Sequence, residues 1–188
     1  MLLTLFKLIS SSTPLLLVFT VLEVIAVAVM KQKADALTAE APEQGNPPDL
    51  WFGVPEDAFQ NWLDGVGEKG RVLYLAINTW DITVYMWAYM ILSGALMYGQ
   101  CQKVKPSLTT LSLIFPLAMA GDFVETILFR KATNGFPTPL GPVSLKIMSL
   151  ANMTKWSAMG VGLVLLIGLS AKNRMSKEST TAETAKTK

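Results

Sequence analysis

The sequence contains no histidine and a single cysteine among its 188 residues. The lack of histidine excludes the Ser-His-Asp triad, an imidazole general base and every zinc or haem site that needs a histidine ligand. One cysteine, Cys101, excludes an internal disulfide and a CxxC metal site. Charged residues are scarce, at 16% against about 25% in an average soluble domain. The net charge is only +2, and the sequence has no basic stripe that could neutralise the phosphates of a nucleic acid. No nucleic acid partner is therefore expected.

Hydrophobic residues make up 51% of the chain and are concentrated in four long runs. An α-helix needs roughly 17–25 residues to cross the hydrocarbon core of a bilayer. The four runs meet this length and predict membrane spans at residues 14–30, 72–99, 108–129 and 147–170. The sequence therefore predicts an all-α protein, an integral membrane four-helix bundle, with one domain over residues 1–170. A signal peptide is an alternative interpretation of the first run, because Lys7 precedes it and small residues follow it.

One long loop, residues 31–71, connects the first two predicted spans. Its first half, through Pro47 and Pro48, is polar and predicts irregular structure. Its second half predicts a short amphipathic helix over residues 54–65, because Phe59, Trp62 and Leu63 share one helical face. Attachment to the membrane surface and packing as an ordinary loop helix are both compatible with that pattern.

The chain ends are predicted to lie on the same side of the membrane, because the number of spans is even. Lysine and arginine are denser on that side, which includes residues 100–107, than on the opposite side, which includes the large loop. This distribution favours cytoplasmic termini. Residues 171–188 are rich in Ser, Thr and Lys and predict a disordered polar tail.

Five charged side chains lie inside the predicted spans, where each is energetically costly. They are Glu23, Asp81, Asp122, Glu125 and Lys155. At 1.5 Å per residue, all five lie within about 6–13 Å of the span ends that face the large loop. Polar helix faces at the same membrane depth find hydrogen-bond and ionic partners most easily when they face one another inside the bundle. The sequence therefore predicts a polar layer, made of these five residues, in the half of the membrane next to the large loop.

Further polar residues extend this layer along two spans. In span two, spacings of four, three and four put Tyr74, Asn78, Asp81 and Tyr85 on one helical face. In span four, Asn152 precedes Lys155 by three residues, which puts both on one face.

The polar layer has four carboxyl groups and one ammonium group. Lys155 is therefore expected to hold Asp81 or Asp122 ionised, with Asp122 favoured because Glu125 makes its patch the most negative. At least one other acid is expected to be protonated or to bind a cation. The candidate ligand-binding, proton-binding or ion-pair residues are Arg71, Tyr74, Asn78, Asp81, Tyr85, Asp122, Glu125, Asn152 and Lys155.

Two segments carry most of the distinctive sequence, PEDAFQNWLDGVGEKGRVLYL before span two and FPLAMAGDFVETILF in span three. Their order resembles a widespread family of uncharacterised four-span membrane proteins, in which an acidic amphipathic helix leads into a Gly-Glu-Gly-Arg-like turn and span three carries a Pro…Asp…Glu-Asn pattern. The resemblance covers residues 54–169. The matching positions are Glu68, Gly70, Arg71, Tyr74, Asp81, Pro116, Asp122, Glu125 and Lys155, and Thr126 replaces the family's usual Asn. The resemblance implies the fold and the site residues and no particular activity.

Three functions are compatible with this pattern. In the first, the polar layer binds or moves a small or lipid-like ligand with coupling to a proton, and Arg71 closes the mouth together with the helix over residues 54–65. In the second, the carboxyl groups act as general acid and base of a membrane enzyme on a sterol or lipid. In the third, the ion pairs only fix the helices of an accessory subunit.

A cavity in the polar layer distinguishes these functions. An opening on the large-loop side favours a solute, an opening towards lipid favours a lipid binder or enzyme, and a closed cluster favours the structural role. The expected partners are membrane lipids and a small-molecule or sterol-like ligand. The sequence indicates no catalytic residue, no metal site and no cofactor.

Overall fold

The computed structural model describes the backbone of residues 1–186 and the side chains of residues 1–55 and 57–176. Within these residues the chain is helical and contains no β-strand. The α-helices are α1 (Leu2–Ser10), α2 (Thr13–Glu40), α3 (Glu56–Gly65), α4 (Gly67–Trp80), α5 (Met86–Val104), α6 (Ile114–Gly135) and α7 (Pro142–Lys186).

Four helical stretches are long and apolar enough to cross a membrane. They are Thr13–Glu40, Gly67–Val104, Pro106–Gly135 and Pro142–Ser176. The second consists of α4 and α5 joined by a π-helical turn, Asp81–Tyr85, and the third begins as a 3₁₀ segment, Pro106–Leu113, before α6. Each stretch contains one of the four predicted spans, so the prediction of four long apolar helices is confirmed.

Helix α2 continues through Glu40, although the sequence predicts irregular structure after residue 30. Extension of an existing helix adds a hydrogen bond for each residue that is ordered, without a new nucleation cost. The added segment, KQKADALTAE, is rich in good helix formers. Lys31 and Asp35 form an ion pair of 2.9 Å one turn apart, which supports the same extension.

Helix α7 also extends further than predicted, through Lys186, in place of a disordered tail from residue 171. The same low cost of propagation explains the first part of this extension. The Asn173 amide also donates to the side-chain oxygen of Gln100, which fixes that part of α7 against the end of α5. Residues 187 and 188 of the predicted tail lie outside the described residues.

The sequence patterns do not predict helix α1. Its Phe6 and Ile9 side chains are buried against α5. The Phe6 ring occupies the space where a side chain at Gly94 would begin, so this glycine permits the close approach of the two helices.

Buried apolar side chains form two clusters. The first joins α3, α4 and the loop-side parts of α6 and α7, and includes Phe59, Trp62, Leu63, Tyr74, Phe129 and Met148. The second joins α1, α5 and the other parts of α6 and α7, and includes Phe6, Met86, Tyr89, Met97 and Phe115. Along the second, third and fourth long helical stretches, charged side chains lie between the two clusters. The fold therefore positions these charged groups at one level.

Candidate functional site

Three buried charged side chains form a triad between α6 and α7. The Lys155 Nζ atom lies 3.0 Å from Asp122 Oδ1 and 2.9 Å from Glu125 Oε2. The three side chains are only 7%, 3% and 0% exposed, respectively. A spacing of three residues puts both carboxyl groups on one face of α6, so both reach the same ammonium. Asp122 is thus the partner of Lys155 that the sequence favours, and Glu125 is a second partner.

A glycine at the contact of α6 and α7 permits this geometry. A Cβ atom at Gly121 would lie 2.7 Å from the Ala151 carbonyl oxygen and 3.0 Å from the Lys155 amide nitrogen. Both neighbouring atoms belong to the backbone of α7 and have little freedom to move. The missing side chain therefore allows the two helices to approach closely enough for the adjacent Asp122 to reach Lys155.

Asn152 links the triad to the large loop. Its Nδ2 atom donates to Glu125 Oε1 at 2.7 Å, and its Oδ1 atom accepts the Gly53 N–H at 2.7 Å. Ser149, one turn earlier on α7, accepts the Val54 N–H at 2.9 Å. Sequence reasoning missed Ser149 and Gly53, because a lone serine and a loop glycine carry no signal of such a long-range contact.

Asp81 lies next to the triad and has a different environment. It is 6% exposed, and the Thr126 hydroxyl donates to its Oδ2 atom at 3.1 Å. Within the part of the chain that the structure describes, Asp81 forms no ion pair with Lys or Arg. Thr126 thus supplies a hydrogen-bond donor to the site. The π-helical turn begins at Asp81, and such turns are frequent at functional sites.

Asp49, in the large loop, belongs to the same group of acids and was not predicted. The Trp156 indole donates to the Asp49 carbonyl oxygen at 3.0 Å, which fixes this loop against α7. The Oδ1 atom of Asp49 is buried and has no hydrogen-bond partner among the described residues. Burial raises the pKa of Asp49 above its usual range, and the nearby Lys155 ammonium partly opposes this effect. An aspartate after two prolines is typical of a turn, so the sequence contains no signal for this position.

A cavity of about 440 Å³, called here the main cavity, contains these groups in its wall. At its buried end lie Asp81, Asp122 and Lys155, with Asp49 beside them. Apolar and aromatic side chains form its sides, among them Val27, Met30, Ile77, Tyr85, Trp156 and Met159. Exposed residues of α2 and the large loop form its mouth, including Lys31, Asp35 and Asn46. The main cavity therefore opens on the large-loop side.

Glu23 does not join this group, although its depth predicts that it does. It lines a second cavity of about 290 Å³, called here the apolar cavity, together with Phe115 and Leu163. Trp156 and Met159 line both cavities and so lie between them. The depth of Glu23 along its helix follows from the sequence. The direction of its side chain depends on how α2 is rotated, which packing decides, and most side chains of α2 in the predicted span are exposed.

The polar residues that the sequence predicts on one face of span two lie in two different environments. Tyr85 lines the main cavity together with Asp81. Tyr74 and Asn78 are almost fully buried and do not line it. The Tyr74 hydroxyl and the Asn78 Oδ1 atom have no hydrogen-bond partner among the described residues. Tyr74 instead packs its ring against Trp62 and Phe129.

Arg71 does not lie at the mouth of the main cavity, contrary to the sequence prediction. Its Nη1 atom donates to the Leu63 carbonyl oxygen at 2.9 Å, in the last turn of α3, and its guanidinium lies 4.1 Å from the centre of the Phe136 ring. The free carbonyl groups at the end of a nearby helix attract a cation, which explains this position. The segment around Asn46–Leu50 borders the mouth in place of Arg71 and α3.

The chemistry available in the main cavity is that of carboxyl groups, the ammonium groups of Lys31 and Lys155, and aromatic rings. Among the described residues, no three Cys, Asp or Glu side chains are grouped so that they could hold a metal ion. Comparisons of the chain with protein-family models, curated proteins and solved structures find no significant match. The resemblance to the four-span family therefore stays a prediction.

Proposed function

We propose that the chain is an integral membrane protein whose four long apolar helices form a four-helix bundle. Support comes from the two clusters of buried side chains, which join the second, third and fourth stretches and also include side chains of α2, such as the buried Leu37. We also propose that α3 is the amphipathic helix of the loop between the first two spans, because Phe59, Trp62 and Leu63 are buried on one face while Asp57 and Asp64 are exposed. Both termini then lie on the cytoplasmic side, where Lys and Arg are denser.

The function that this arrangement supports best is the binding or movement of a small ligand in the main cavity, with proton exchange at its carboxyl groups. The main cavity itself carries this proposal. Its volume of about 440 Å³ lies within the range of about 300–1,000 Å³ that is usual for small-molecule sites. Ion pairs that served only to fix the helices would need no cavity beside them.

Each charged residue then has a separate role. Glu125 lies behind the cavity wall and, together with Asn152, orients the Lys155 ammonium. Asp122 and Asp81 present their carboxyl groups to the ligand. Asp81, which has no cationic partner among the described residues, is the group that exchanges a proton or pairs with a ligand cation.

Mass spectrometry of molecules that co-purify with the protein tests the proposal. We expect a class of small molecule or lipid to be retained by the wild type and by Asp64→Asn, and to be depleted in Asp81→Asn. Asp64 is an exposed acid of α3, so its substitution removes the same charge away from the main cavity. Equal retention of every molecule by all three proteins would contradict the proposal.

A membrane enzyme that acts on a sterol or lipid is the second candidate function. The apolar cavity favours it, because an apolar chamber beside buried carboxyl groups suits a hydrocarbon substrate. In that case the same mass spectrometry would detect a product that accumulates with the wild type and not with Asp81→Asn.

A further inference from the structure

The wall of the main cavity has an excess of acids. Lys31 and Asp35 pair with each other at the mouth. Further inside, Asp49, Asp81 and Asp122 face a single ammonium, that of Lys155. This ammonium already forms ion pairs with Asp122 and, from behind the wall, with Glu125. The interior of the main cavity therefore has two carboxyl groups without a cationic partner among the described residues.

The hydrogen bonds of these two acids are also incomplete. Asp81 accepts one hydrogen bond, from Thr126 to its Oδ2 atom. Asp49 has a buried Oδ1 atom that accepts none from the described residues. Buried polar atoms are normally hydrogen-bonded, and an unpaired buried acid is costly. A ligand with hydrogen-bond donors and a positive charge satisfies both requirements at once.

The remaining wall is suited to an apolar body that carries such a charge. Tyr85 and Trp156 present aromatic rings, and Met30, Ile77 and Met159 present aliphatic surface. Aromatic faces attract organic cations in addition to apolar groups. An anionic ligand is disfavoured, because both lysines that line the main cavity, Lys31 and Lys155, already form ion pairs with carboxylates.

We propose that the ligand of the main cavity is a small organic cation, a protonated amine on an apolar body. The ammonium lies between Asp81 and Asp49, and the apolar body lies against Tyr85, Met30 and Met159. This inference rests on the proposed function and specifies the chemical class of its ligand.

A matched series of probes tests the charge requirement. Adamantan-1-amine, adamantan-1-ol and adamantane-1-carboxylate share one compact apolar body and differ in the polar group. We expect radiolabelled adamantan-1-amine to bind saturably to the full chain in phosphatidylcholine nanodiscs, relative to empty nanodiscs. The alcohol should compete at least about tenfold more weakly, which corresponds to about 1.4 kcal/mol, because hydrogen bonds between charged partners are the stronger ones. The carboxylate should not compete.

Variants locate the binding site. Asp81→Asn should weaken amine binding by about tenfold for the same reason, and Asp64→Asn should leave it unchanged. Ala34→Trp should abolish it, since Ala34 lines the main cavity and the larger side chain fills it without a change of charge. Ala34→Trp decides the question if Asp81→Asn fails to fold.

The outcomes separate this inference from the proposed function. Equal binding of the alcohol and the amine, or amine binding that survives Ala34→Trp, would overturn the organic-cation inference. So would the absence of saturable amine binding. In each of these cases, the proposed function would still hold if a neutral molecule were retained by the wild type and lost from Asp81→Asn. If no molecule were retained, both the proposed function and the organic-cation inference would be wrong.

Discussion

Substitution of Lys155 by methionine is the sharpest test of the buried triad. Methionine keeps most of the length and the apolar packing of the lysine side chain, so the change removes the charge with little loss of volume. In the wild type, Lys155 Nζ contacts Asp122 Oδ1 at 3.0 Å and Glu125 Oε2 at 2.9 Å, and all three side chains are more than nine-tenths buried. Loss of one partner of a buried pair typically costs about 3–5 kcal/mol. We expect Lys155→Met to destabilise the protein by an amount in this range.

The destabilisation should depend on pH. The stranded carboxyl groups become neutral by taking up protons, which is easier at low pH, so part of the lost stability returns there. Thermal melts in detergent at about pH 5 and about pH 8 should therefore show the larger loss at the higher pH. Lys146→Met is the matched control, because Lys146 is an exposed lysine of the same helix, and it should melt like the wild type at both pH values.

A second substitution identifies the carboxyl group that is most destabilised by the loss of Lys155. Glu125 keeps its hydrogen bond from Asn152 after the lysine is lost, whereas Asp122 loses its ion pair. Asp122→Asn should therefore restore part of the stability of Lys155→Met, and Asp81→Asn should restore none, because Asp81 forms no ion pair with Lys155. If Lys155→Met melts like the wild type at both pH values, the triad does not stabilise the fold and the reasoning from buried charge is wrong.

Three further predictions concern topology and packing. In a cysteine-free background, Asn46→Cys and Lys103→Cys should react with a membrane-impermeant thiol reagent from opposite sides; reaction from one side would contradict four spans. Gly121→Ala should cost about 1–3 kcal/mol in thermal or denaturant unfolding, because its methyl group would lie 2.7 Å from a backbone oxygen of α7. Gly160→Ala, which meets no atom within 4 Å, should cost nothing; equal effects would refute the close approach of α6 and α7. Asn152→Leu should lower the melting temperature and increase proteolysis of the large loop, because it removes the bonds to both Glu125 and Gly53; an unchanged cleavage pattern would show that the loop does not depend on it.

Local patterns predicted the helices and part of the site. Long apolar runs indicate the four helical stretches, because helix length and burial in lipid depend on residues that are adjacent in sequence. The spacing of Asp122 and Glu125 places both on one face of α6, and the single deep lysine has few possible partners. Counting charges at one depth therefore limits the partner of Lys155 to Asp81 or Asp122 and favours Asp122, and the structure contains the Lys155–Asp122 pair.

Contacts between distant segments were not predictable in the same way. Asp49 meets Trp156 across more than a hundred residues, and Val54 meets Ser149 across nearly as many. Such contacts depend on where the large loop folds back over the helices, which no local periodicity encodes. The position of Arg71 depends on a nearer segment, because its side chain donates to a carbonyl group at the end of α3, eight residues away, and does not line the main cavity.

By itself, the sequence determined that the chain is helical, that four helices are long and apolar enough for a membrane, and that charged side chains gather at one depth. These properties follow from composition and from the 3.6-residue period, both of which act within a single helix. Only the tertiary structure decided which helix faces pack against one another. It separated Glu23 from the other acids, brought Asp49 to them, and left a cavity of about 440 Å³ that Asp81 and Lys155 help to line. Helix rotation and loop closure depend on side-chain packing between segments, and that packing exists only once the chain has folded.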